Sequence, residues 1–166
     1  GMGRSGDARL EETSDIVWND CYRKNTGVAV QLMKLLLPSM LTKQWGRIVA
    51  ISSIHGVEGG GRPWFAAAKS SQVAIIKAFA KDHRLARAGI TFNTVCPGSV
   101  MIPGTGWEVE AKTRPDDYRK FLETLPLGRL GVPDEIADLV TFLCSPRAAY
   151  INGSCIVADG GEGFSF

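Results

Sequence analysis

Ser53 and Lys69 sit on one short segment, joined by a glycine-rich stretch and the phrase Phe65-x-x-x-Lys69, and Asn25 lies 28 residues before Ser53. These residue types handle charge and protons: a hydroxyl that can hold an oxygen and an ammonium that can stabilise developing negative charge. Phe65 supplies a ring without an acidic group. His55, two residues after Ser53, titrates near neutrality and is a candidate substitute acid, although a histidine in a mobile glycine loop is more often solvated. His83, among Lys81, Asp82 and Arg84, reads as exposed surface. Taken singly, Ser53 is an ordinary strand-end serine, Lys69 a surface lysine and Asn25 a break in a helix.

The elements that must position these residues are legible from spacing. Thr13-Ser14-Asp15 offers N-cap chemistry for a helix starting near Asp15. Val28, Leu32, Leu35, Leu36 and Met40 keep helical spacing toward Leu41, and the poor helix formers Asn25-Thr26-Gly27 predict a kink. Gly46 to Ser53 reads as a short buried strand. The loop from His55 to Pro63 carries Gly56, Gly59, Gly60 and Gly61, and Pro63 suits the first turn of a helix running to about Ala88. The apolar residues of that helix cover more than one face, which predicts deep burial or packing against another subunit. Ile90 to Cys96 is a second strand closed by Pro97-Gly98. An irregular stretch then leads to polar helical turns between about Pro115 and Thr124. A helix from about Pro133 to Leu143 follows, with Asp134 and Glu135 at its positive end, and Ser154 to Ala158 forms a last strand. Alternating strands and helices predict parallel pairing through right-handed crossovers.

Composition narrows the function classes. A chain of 166 residues with 45% hydrophobic content supports one domain, and 19 basic against 17 acidic residues leave a net charge of +2 without a basic stripe, which argues against nucleic acid. Cys21, Cys96, Cys144 and Cys155 are far apart in sequence, form no C-x-x-C pair and lie in apolar stretches, so they read as small core residues rather than a disulfide or metal set. No apolar run reaches membrane-spanning length, and the polar start is unlike a secretory signal, so a soluble, cytoplasmic protein is expected. Gly1 ahead of Met2 reads as a foreign residue, with the natural chain expected to begin at Met2. Gly1-Met2-Gly3-Arg4-Ser5-Gly6 satisfies a G-x-G-x-x-G search, but no strand precedes it and no helix begins on it, so it is rejected as a phosphate loop.

From about Glu12 to Gly161 the chain resembles the later part of a short-chain dehydrogenase/reductase. The resemblance rests on several motifs in order: Asn25, Trp45-Gly46-Arg47-Ile48-Val49, Ser53, Phe65-x-x-x-Lys69 in place of Tyr-x-x-x-Lys, Pro97-Gly98, Leu127 to Pro133 with Asp134-Glu135-Ile136-Ala137, and Asn152-Gly153 leading to Asp159-Gly160-Gly161. It implies an α/β fold, a partial Rossmann-like, doubly wound parallel sheet with about three strands flanked by helices. Residues 1–11 are then a polar N-terminal lead, and residues 12–166 the C-terminal part of a Rossmann-like domain. In the family the Gly-x-x-x-Gly-x-Gly turn that receives the cofactor pyrophosphate comes earlier in the chain, so roughly 60 to 90 residues are expected to be missing from the front at about 30 residues per strand-helix-strand unit.

The resemblance also implies roles. Carbonyl reduction with NAD or NADP requires a hydride from the nicotinamide and a proton from the family's Tyr. Ser53 matches the residue that holds the substrate oxygen. Lys69 matches the one that lowers the Tyr pKa and bonds the nicotinamide ribose, and Asn25 matches the one that supports a water relay. Phe65 occupies the Tyr position without a phenol. Pro97, Gly98 and Val100 join Lys69 as expected cofactor contacts, while Met101 and Ile102 stand where the family often has a Thr on the cofactor amide. Trp64 and Trp107 read as pocket lining or as packing. Two readings follow. One is an NAD(P)-dependent carbonyl/alcohol oxidoreductase with little or no activity in this chain. The other is a non-catalytic oligomerisation or small-molecule-binding module. An exposed strand edge and the excess apolar surface of the two long helices predict a homodimer or higher homo-oligomer.

Overall fold

The computed structural model describes Glu11 and residues 13–165. The polar lead and the rejected glycine motif therefore fall almost wholly outside the described residues. Three strands, β1 (Gly46–Ile51), β2 (Ile90–Pro97) and β3 (Cys155–Ala158), form one parallel sheet in the order β1-β2-β3. Gly46 lies opposite Ile90 in the first pair and Thr94 opposite Cys155 in the second. Strand β2 is central and buried along nearly its whole length, as its continuous run of Ile, Thr, Phe, Val and Cys requires when helices cover both faces.

On one face Phe92 and Ile90 pack with Ile76, Ala80, Leu85 and Met33, contributed by α2 (Val28–Lys43), α3 (Pro63–Ala80) and α4 (His83–Arg87). On the other, Val95 packs with Leu143 of α7 (Pro133–Cys144) and with Ala148. The result is the helix-sheet-helix layering expected of parallel strands.

Several boundaries differ from the sequence reading. The first helix begins at Asp15 as expected, as α1 (Asp15–Tyr22), but Ser14 caps it through its main-chain oxygen, which accepts from Val17 N–H at 3.0 Å, and not through its side chain. The expected kink at Asn25-Thr26-Gly27 is a π-helical turn, Arg23–Gly27, between α1 and α2. Strand β1 stops at Ile51, and Ser53 instead opens a 3₁₀ turn, Ile54–Gly56, accepting from His55 N–H. The helix expected to reach Ala88 breaks at Lys81, because the Asp82 carboxylate accepts from the N–H groups of Arg84 and Leu85 and so starts α4. The stretch read as irregular contains α5 (Gly106–Thr113), followed by the expected polar helix α6 (Pro115–Thr124). Its few apolar residues gave α5 too weak a periodicity to be seen; Trp107 stacks on Phe121 of α6 at 4.7 Å, so tertiary packing holds it.

The cysteines also depart from expectation. Cys21 and Cys96 are buried, whereas Cys144 and Cys155 are exposed and are not core residues. Cys96 and Cys155, far apart in sequence, meet across β2 and β3 with their sulfurs 3.3 Å apart.

Candidate active site

A cavity of about 850 Å³ opens at the C-terminal ends of β1 and β2, lined by Ser53, Phe65, Lys69, Asn25, Pro97, Gly98 and Val100 among others. Ser53, Phe65, Lys69, Asn25, Pro97, Gly98 and Val100 all lie on its wall, whereas His55, Trp64 and Met101 do not. A crevice outside the carboxyl ends of parallel strands is where open α/β sheets receive ligands.

Lys69 is held from below. Its ammonium donates to Ile51 O at 2.9 Å, at the last residue of β1, and lies 5.6 Å from the centre of the Phe65 ring one helical turn earlier. Burial lowers the Lys69 pKa, and the nearby sulfurs of Cys21 and Cys96 act in the opposite sense. Among the described residues no carboxylate forms an ion pair with it. Ser53 faces the same cavity because the 3₁₀ turn presses directly on α3. A Cβ on Gly56 would come within 2.5 Å of Ser52 Oγ and 3.0 Å of the Lys69 main chain, so only glycine allows this approach. Ser52 Oγ donates to Lys69 O at 2.9 Å, tying the two segments together.

The π-helical turn positions Asn25. Widening the helix there frees the Cys21 carbonyl, which the Asn25 amide takes at 2.8 Å. The turn is fastened to α3 by Thr26 Oγ1, which donates to Ala68 O at 2.7 Å, and by Gln72 Nε2, which donates to Asn25 O at 3.2 Å, while Trp18 of α1 meets Trp64 edge to face. Trp64 is thus packing, while Trp107 lines the cavity.

His55 is not solvated as the glycine loop suggested. It is half-buried, with its ring edge-on to Phe65 at 6.5 Å and its Nδ1 enclosed without a hydrogen-bond partner. It lines a smaller adjoining cavity that shares Ser53, Phe65, Gly98 and Trp107 with the larger one. His83 is exposed, as expected.

The Pro97–Gly98 turn is clamped by the chain's end. The Glu162 carboxylate accepts from Ser99 N–H and from Ser99 Oγ, and the loop beyond is bridged to the entry of α7 by Met101 N–H donating to Gly131 O at 2.9 Å. The sequence reading placed Ile102 at a cofactor contact, and it lines the cavity, but the reading did not single out Cys21, Val109 or Ile136. For Cys21 a signal existed, since it precedes Asn25 by four residues on a helix; for the others, nothing local distinguishes lining from packing. Among the described residues no group of acidic, His or Cys side chains could hold a metal ion, and no helix is long and apolar enough to cross a membrane.

Comparison with known proteins agrees with this geometry. The family model described as enoyl-(acyl carrier protein) reductase matches residues 1–162. The 3-oxoacyl-(acyl-carrier-protein) reductase FabG of Vibrio harveyi is 37% identical over 96% of this chain, and acetoacetyl-CoA reductase of Shinella zoogloeoides is 36% identical over 98%. The chain spans 63% and 65% of the lengths of those two relatives. Among solved structures, an oxidoreductase of the short-chain dehydrogenase/reductase family from Burkholderia thailandensis superposes with a TM-score of 0.85 at 29% identity, covering 96% of this chain and 61% of that one. With three parallel strands in sequence order, a cavity at their carboxyl ends and a family model matching nearly its whole length, the chain belongs to the short-chain dehydrogenase/reductase family.

Proposed function

We propose that the cavity is the carbonyl/alcohol end of an NAD- or NADP-dependent oxidoreductase site whose proton donor is lost. The observation that carries this reading is the meeting of Ser53, Phe65, Lys69 and Asn25 on one cavity wall. The residues present suit the nicotinamide end of such a cofactor: a half-buried ammonium with donors to spare for ribose hydroxyls, beside the wall of Pro97, Gly98 and Val100. Bound there, the cofactor would supply hydride. Ser53 then holds the substrate oxygen and Lys69 orients the ribose, with Asn25 behind it. Phe65 excludes water from its side of the cavity but has no proton to give, and loss of a positioned general acid costs about 10²- to 10⁴-fold in rate.

The relatives named for 3-oxoacyl and acetoacetyl substrates, together with the apolar wall of Val100, Ile102, Trp107, Val109 and Ile136, support a 3-oxoacyl carbonyl compound as the substrate class. The second reading, a module that binds small molecules without turnover, is favoured by Phe65 alone. Titration of NADH and NADPH against the chain's tryptophan fluorescence separates the two, because Trp107 lines the cavity. Saturable binding in the micromolar range is expected; no binding by either nucleotide would remove the oxidoreductase reading and leave the module.

The partner we propose is a second copy. The outer face of α1 and α2 exposes Ile16, Val28, Leu32, Leu35 and Leu36, with Leu35 75% exposed. Strand β1 hydrogen-bonds only to β2 among the described residues, which leaves its other edge open.

A further inference from the structure

We propose that Cys96 and Cys155 form a reversible disulfide, an oxidation-sensitive site on the strand that leads into the Pro97–Gly98 wall of the cavity. The inference is independent of the reaction assigned above, because it rests on the meeting of two thiols across the sheet.

On β2 and β3, Thr94 lies opposite Cys155 and Cys96 opposite Val157. Alternate residues of a strand share a face, so both thiols project to the same side as Phe92, toward α3. They are diagonal neighbours, with their sulfurs 3.3 Å apart. A disulfide needs about 2.05 Å, so closure requires side-chain rotation and a small shift of β3. That strand is four residues long and, among the described residues, pairs on one side only, so it is the element of the sheet best able to move.

Their surroundings differ in a way that suits oxidation. Cys155 is exposed and meets solvent, while Cys96 is fully buried. The Cys96 sulfur meets the Cys155 sulfur and lies beside Ser53 N–H, the Ser52 hydroxyl and Lys69. These donors hold the Cys96 thiol down to about 7 against the opposing effect of burial, while the same contact pushes Cys155 up. Of the two, Cys96 is the thiol that gives up its proton more readily.

With a hydroperoxide as oxidant the steps balance. Cys155 passes its proton to the Cys96 thiolate, the exposed Cys155 thiolate attacks the peroxide, the O–O bond breaks and the leaving hydroxide takes that proton back from Cys96, giving Cys155 sulfenic acid, one water and the Cys96 thiolate. The Cys96 thiolate then attacks the Cys155 sulfur, and the S–O bond breaks. The departing hydroxide takes up a proton and leaves as a second water. Two thiols are oxidised, one peroxide is reduced, and a dithiol reductant reverses the step.

The test treats the intact chain with hydrogen peroxide under native conditions, then denatures and alkylates it and maps the thiols by mass spectrometry. The expected result is loss of two of the four alkylatable thiols, with one peptide pair linked through Cys96 and Cys155 and full recovery after dithiothreitol. Cys155→Ser should leave Cys96 alkylatable under the same treatment, and Cys144→Ser should leave the link intact. Four free thiols, a link through Cys144, a link between two chains, or over-oxidised Cys155 beside a free Cys96 would each overturn the proposal. Mapping the unsubstituted chain keeps the test decisive even where a variant folds poorly.

Discussion

Phe65 points its ring at the Lys69 ammonium, 5.6 Å away, where the family would place a phenol. On the proposed reading, the ring keeps the shape of that position and gives up its chemistry. In a longer chain that carries the family's glycine-rich turn, Phe65→Tyr restores an acidic hydroxyl beside a fixed cation, and turnover of acetoacetyl-CoA with NADPH is expected to rise by about 10²- to 10⁴-fold over the unsubstituted longer chain. Equal turnover in the two proteins would mean that another group delivers the proton. His55 would then be the group to examine, because it packs edge-on to the same ring with an enclosed, unpartnered Nδ1.

At the level of elements, the site depends on how helices begin and break. The π-helical turn gives Asn25 its place, and the Asp82 cap ends the run of α3 before it overshoots the sheet. The entry of α7 shows the same logic where it can be measured. Glu135 accepts from Val132 N–H at 2.9 Å and pairs with both guanidinium nitrogens of Arg129, at 2.7 and 3.0 Å. The Arg129 hydrogen bonds, with the Val132 N–H second, hold its carboxyl at about 2 against an ordinary 4.5. A carboxyl depressed on folding stabilises above its unfolded pKa and loses that contribution as pH falls toward the folded value. The Glu135 contribution is therefore complete above about pH 4.5 and gone near pH 2. Glu135→Gln keeps the backbone contact and removes the charge, so its urea midpoint should fall less steeply than the parent's across that window. The pair is exposed, so the difference should shrink with added salt; parallel pH profiles at low salt would show that the ion pair contributes nothing.

For the whole molecule, the outer face of α1 and α2 is apolar and exposed among the described residues. Residues such as Leu32, Leu35 and Leu36 recur along the outer face of α2, and contiguous apolar patches of this kind mark interfaces. Light scattering should give a mass of at least twice 17.9 kDa, and Leu32→Glu with Leu35→Glu should shift it toward that single-chain value while far-ultraviolet circular dichroism is retained. A single-chain mass for the unsubstituted protein would remove the second copy as the partner.

The sequence by itself determined the elements whose signals are local. Three short apolar strands, Pro63 and Pro133 at helix starts, and the ordered motifs at Asn25, Ser53, Lys69 and Pro97-Gly98 were enough to name the sheet, the family and the cavity wall. Helix α5 was hidden because its stabilising contact is with α6 and not within its own periodicity. His55 looked solvated because its chain neighbours are glycines, yet the fold lays Phe65 against its ring. The contact between Cys96 and Cys155 depends on the register of two strands far apart in the chain. Spacing along a polypeptide reports what one helix or strand will bury, but which surfaces meet across the molecule is decided only when those elements pack.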